Sequence, residues 1–83
     1  MDDVYLLEFT EVGTPGIVLD AAYTSEYFAR TTINSYFAKF HNARRRNTSQ
    51  EGRDVRIVYY DDFRNVVGEA YIYRIALRNS ARI

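Results

Sequence analysis

The chain reads as an α+β domain, a small antiparallel sheet in the order β-β-α-β-β with one helix packed on one face. Three features carry this: alternation of apolar and polar residues at Val4 to Glu11, a helical stripe of apolar residues in the middle, and a C-terminal hairpin whose two strands are apolar or aromatic on both faces. At 83 residues it forms one domain, 1–83, in a size range where roughly 60% of the unfolded surface is buried and association is a common support.

The first strand, Val4 to Glu11, places Tyr5, Leu7 and Phe9 on one face and Val4, Leu6 and Glu8 on the other. Gly13-Thr14-Pro15-Gly16 ends it, with Pro-Gly suited to the centre of a type II turn, and Ile17 to Ala22 returns as a short strand. Thr24 or Ser25 caps a helix running from about Ser25 to Arg45, with Glu26 in its first turn complementing the dipole. Spacing of 100° per residue gathers Ala29, Ile33, Tyr36, Phe37, Phe40 and Ala43 into the buried stripe and leaves Tyr27, Thr31, Asn34, Ser35, Asn42 and Arg45 on a solvated back. Beyond it the chain is expected to fray into a polar loop, Asn47 to Gly52, with Asn47 taking the left-handed closing conformation.

The final hairpin pairs Val55 to Tyr60 with Val66 to Leu77. An even-length loop, Asp62 to Asn65 or Arg64-Asn65 alone, puts Val55, Ile57, Tyr59, Ala70 and Ile72 under the helix. It leaves Arg56, Val58, Tyr60, Tyr71, Tyr73 and Ile75 on the reverse; a one-residue slip would exchange the faces. One helix covers one face, so the reverse is expected to stay open, with more ring area than a solvent-facing sheet needs.

Composition limits the chemistry. There is no cysteine and His41 is the sole histidine, so thiolate sites, disulfides and multi-histidine metal sites are excluded and no metal or cofactor is expected. His41 reads as a partly solvated histidine near the negative end of the helix. Asp61 and Asp62 are adjacent strand or turn residues that do not converge on one point, and the four glycines form no phosphate-cradling loop. A catalytic role is therefore not expected. The apolar runs fall far short of the ~20 residues a membrane span needs, the start Met1-Asp2-Asp3 lacks a signal-peptide pattern, and a cysteine-free chain fits the cytoplasm.

Net charge is zero but unevenly spread. Every charge from Met1 to Asp20 is acidic, the middle is basic, and arginine outnumbers lysine ten to one, a bias toward carboxylate, phosphate or aromatic partners. Two binding expectations follow. In the first, Tyr60, Tyr71, Tyr73, Arg56 and Ile75 form a protein-binding patch, because tyrosine and arginine dominate interface hot spots; the partner is a larger target or a second copy, joined sheet to sheet or edge to edge as a homodimer. In the second, Arg44, Arg45 and Arg46 at the helix end, joined by Arg53, bind nucleic acid, with tyrosines stacking on unpaired bases.

In layout, a compact neutral chain without catalytic residues, the sequence is similar to the small accessory and inhibitor proteins of phages and mobile elements, anti-CRISPR proteins among them. That resemblance implies a protein acting by occlusion of a host nucleic-acid machine. The implied contacts are Tyr60, Tyr71, Tyr73 and Arg44 to Arg46, or an acidic, DNA-like surface of Asp2, Asp3, Glu8 and Glu11.

Overall fold

The computed structural model describes residues 3–76. They form β1 (Asp3–Glu11), β2 (Thr14–Tyr23), α1 (Glu26–His41), β3 (Arg45–Glu51), β4 (Asp54–Tyr60) and β5 (Val66–Ala76). The strands make one antiparallel five-stranded sheet in the order β2-β1-β5-β4-β3, with α1 against one face. The α+β class and the single covering helix are as expected. Asp2 and Leu77 lie outside the described residues.

Odd positions of β1 and β4 and even positions of β5 point toward the helix. Leu7, Phe9, Val55, Ile57, Tyr59, Ala70 and Ile72 are all buried there with Ala29, Ile33 and Phe37 of α1. Phe37 is the centre of this layer. Its ring stacks on Tyr59 at 4.2 Å and meets Phe9 edge-on at 5.8 Å. It fits close to the sheet because Gly68 beneath it has no side chain: a Cβ there would lie 2.4 Å from the ring.

Ser25 is the N-cap, its hydroxyl accepting from the Phe28 N–H at 3.1 Å. The helix stops earlier than expected. Asn42, not Asn47, takes the left-handed conformation at φ 51°, and the N–H groups of Asn42 and Ala43 both return to the Phe37 carbonyl. Ala43 is buried, but from outside the helix. Phe40 leaves the predicted stripe and is 61% exposed, because Tyr36 occupies the core edge between Phe9 (5.0 Å) and Phe40 (4.8 Å). Asn34 is not a solvated back residue either; its Oδ1 accepts a hydrogen bond from the Tyr59 hydroxyl.

The segment expected to be the helix end and a polar loop is instead β3, which pairs along its whole length with β4, from Arg45 opposite Tyr60 to Glu51 opposite Asp54. All its side chains are exposed. The first turn also differs: Glu11 pairs with Thr14, so Val12-Gly13 makes the turn, with Gly13 at φ 88°. Pro15 and Gly16 lie within β2, where the register with β1 shifts between Phe9 and Glu11 and the extra residues bulge outward. Proline is tolerated there because β2 is an outer strand with no neighbour among the described residues on its far side.

The register of the last hairpin is the predicted one, reached by another route. Asp61 to Asn65 form an odd loop, closed by hydrogen bonds between Asp61 and Asn65 in both directions, with Arg64 at φ 68°. The register then shifts by one between Tyr59 and Tyr60, and this bulge restores the pairing of Val55 with Ile72 and Ile57 with Ala70.

Candidate interaction surface

Among the described residues the reverse of the sheet carries no helix. Cross-strand pairing orders its side chains into rows: Arg45 beside Tyr60; Asn47, Val58, Glu69 and Thr10; Ser49, Arg56, Tyr71 and Glu8; Tyr73, Leu6 and Ala22; and Ile75 beside Val4. Tyr60, Tyr71, Tyr73, Arg56 and Ile75 thus share the open face, as expected. They do not form one patch.

Tyr71 and Tyr73 stack nearly parallel, with ring centroids 5.9 Å apart and an interplanar angle of 11°, as two residues apart on one strand allows. Leu6 and Val4 on β1 and Ile75 on β5 extend this apolar area toward one end of the sheet, with Tyr71, Tyr73, Leu6 and Val4 half-buried among their neighbours. Tyr60 lies at the opposite corner. Between them stands an ion pair, Arg56 to Glu69, with Nη2 2.6 Å and Nε 2.8 Å from the same carboxylate oxygen.

The polar tips of Tyr73 and Arg56 are satisfied within this face. The Tyr73 hydroxyl donates to Glu8 at 2.7 Å, and that hydrogen bond to a carboxylate, more than burial, pushes its pKa up to about 12. Arg56 is held more firmly protonated by its hydrogen bond to Glu69. A partner pressed on this face would meet rings and methyl groups whose attached polar atoms already have partners, which lowers the desolvation cost of docking.

The arginines divide into two groups. Arg30 pairs with Glu26, Arg56 with Glu69, and Arg74 and Arg53 with Asp3, at 2.5 to 4.0 Å. Among the described residues Arg44, Arg45, Arg46 and Arg64 have no ion pair. They belong not to a helix end but to the start of β3 and to the 61–65 turn, and Arg45, Arg46 and Arg64 line an open cleft of about 340 Å³ together with Asn47 and Tyr60. Arg53 does not join them. It lies in the turn at the far end of β3, roughly 20 Å along the strand, and Arg64 takes the place expected for it.

On the helix side, His41 is not a solvated bystander. Its Nε2 lies 2.6 Å from Glu11 Oε1, and the Tyr36 hydroxyl lies 2.6 and 2.8 Å from the two oxygens of the same carboxylate. Hydrogen bonding from Tyr36, then from His41, holds the Glu11 carboxyl below its ordinary range, while Glu11 raises Tyr36 to about 12. This cluster ties the end of α1 to the end of β1. The acidic surface also dissolves on inspection: Asp3 is engaged by arginines, Glu8 by Tyr73 and Glu11 by Tyr36 and His41, and they point to different faces of β1. Asp61 accepts from the backbone N–H groups of Asn65 and Phe63, which lowers its pKa and marks it as a turn residue.

Among the described residues no three His, Asp or Glu side chains converge as a metal site, and no helix is long and apolar enough to cross a membrane. Comparison with protein-family models, curated proteins and solved structures finds no match.

Proposed function

We propose that the chain is a non-catalytic protein-docking module that associates with a second copy of itself through the open sheet face. The carrying observation is the stacked Tyr71–Tyr73 pair with Val4, Leu6 and Ile75, left uncovered opposite the helix. Tyrosine is enriched at hot spots because it adds large area at small entropy cost. Five strands of about seven residues project roughly 500 Å², the scale of a modest interface whose textured accessible area approaches ~800 Å² per partner. The face carries both signs, with Glu8 and Glu69 against Arg45 and Arg56, so two copies related by a two-fold axis can match charge to charge. An occluding accessory or inhibitor role would use the same surface against a larger protein.

Sedimentation equilibrium over a wide concentration range tests this. The wild-type chain is expected to dimerise, and Tyr71→Ala with Tyr73→Ala to weaken the dimer by at least about 30-fold, the effect of losing ~2 kcal/mol, with the helical circular dichroism retained. A wild-type chain that stays monomeric at high concentration overturns self-association and leaves a foreign protein as the occupant; an unchanged dimer in the double variant shows that another surface is used.

A further inference from the structure

The corner of the open face beyond the Arg56–Glu69 pair has a different chemistry from the tyrosine area. Arg45 and Arg64 line a cleft there from two elements, β3 and the 61–65 turn, with Tyr60 and Asn47; Arg46 borders it through its place in β3, but opposite Tyr59 it belongs to the helix side of the sheet. Elsewhere among the described residues Arg30, Arg53, Arg56 and Arg74 each have a carboxylate; Arg45 and Arg64 have none, although Asp61 is in the same turn, because Asp61 spends both its oxygens on Phe63 and Asn65. Guanidinium groups held together without counter-charge repel one another, and an anion placed between them removes that repulsion. Arg64 adopts φ 68°, a left-handed conformation that costs a branched or long residue energy, yet its guanidinium lines the cleft.

We infer that this cleft binds single-stranded nucleic acid, one nucleotide seated in it, with a backbone phosphate held by Arg45 and Arg64. The volume of about 340 Å³ is too large for a bare phosphate and of the order of one nucleotide. Tyr60 forms one wall of the cleft, and Phe63, which precedes Arg64 in the same turn, is 85% exposed. Rings alternating with guanidiniums are what unpaired bases and their phosphates require. From the cleft, β3 runs as an exposed strand whose Asn47 and Ser49 share the open face, short polar side chains able to meet further phosphates and sugars, and Arg44 precedes it. A duplex, with its bases enclosed, gains nothing from the two rings.

Fluorescence anisotropy with a labelled single-stranded oligonucleotide, the matching duplex, and a labelled phosphopeptide tests the assignment. One neutralised phosphate gives a salt slope of about −0.7 for single strands, so affinity for the single strand is expected to fall about 3-fold between 50 and 200 mM salt. Arg45→Ala is expected to remove most binding. Arg64→Gly is the second variant: glycine accepts the positive φ without strain, so the fold is retained while one guanidinium is lost and the salt slope decreases. Arg53→Ala, at the other end of β3, leaves binding unchanged, as does the Tyr71→Ala, Tyr73→Ala pair, which separates this site from the docking face. Tighter binding of the duplex or phosphopeptide than of the single strand, or binding indifferent to Arg64→Gly, overturns the inference.

Discussion

Replacing Gly68 by alanine should unfold this protein more readily, although the same change in an ordinary strand would favour the folded state by about 0.5–1 kcal/mol. The added methyl carbon would lie 2.4 Å from two ring carbons of Phe37 and 2.5 Å from the Thr10 carbonyl oxygen. Contacts between carbons settle at about 3.5–4.0 Å, so something must move by roughly 1 Å. Phe37 has little room to yield, being fully buried, stacked on Tyr59 and wedged against Phe9. The Thr10 carbonyl belongs to the central pairing of β1 with β5 and moves only with the strand. Overpacking of this kind costs ~1–3 kcal/mol, and with two obstacles the upper end, about 3 kcal/mol, is expected. Against a total stability of roughly 4–12 kcal/mol for a chain this long, that lowers the thermal midpoint by about 12–24 °C, read by far-ultraviolet circular dichroism. A double-mutant cycle with Phe37→Leu isolates the ring contact: the Gly68→Ala penalty should shrink in that background but persist in part, because Thr10 remains. An unchanged or raised midpoint, or strict additivity of the two changes, would refute the seating of Phe37 over Gly68 and with it the placement of the helix.

Tyr36 and Tyr73, both held protonated to about 12 by Glu11 and Glu8, stabilise the fold fully below pH ~10, where an unfolded tyrosine begins to ionise. That contribution should be lost as pH rises through about 12, and an absorbance titration of phenolate should show these two lagging the exposed tyrosines. Glu11→Gln should return Tyr36 toward its ordinary value in the same titration; on the acid side, the Glu11 contribution is complete above 4.5 and should decline as pH falls through its depressed value. Asn42→Ala should cost ~1 kcal/mol in a urea melt because alanine pays to enter the left-handed region, whereas Asn42→Gly should be close to neutral.

The elements that bury apolar side chains could be read from the chain; the one that buries none could not. Leu7 and Phe9, the Ala29-Ile33-Phe37 spacing, and the alternation through Val55, Ile57 and Tyr59 each carry a period that burial enforces. β3, Arg45-Arg46-Asn47-Thr48-Ser49-Gln50-Glu51, has no apolar residue, and its strand conformation comes from backbone pairing with β4. A usable signal lay just before it: Asn42, placed after Phe37 and Phe40 and before the small apolar Ala43, is a helix-closing residue, and stopping the helix there leaves room for another strand. The open face was legible for the same reason as the core, since its residues alternate with buried ones. Its division was not, because the separation of Tyr60 from Tyr71 depends on how β4 and β5 pair. The cleft was half legible: Arg45 and Arg46 stand out in the chain, but their neighbour Arg64 is brought to them by the fold while Arg53 is carried away.

The two outer rims of the sheet differ in make-up but share an effect. A strand with a free side can template the next chain and grow into a fibril. On one rim Pro15 and the register shift around Gly16 spoil the straight run of donors that a newcomer would need; on the other, the strand is wholly polar with charged residues at both ends. Sideways growth is thereby discouraged at both borders.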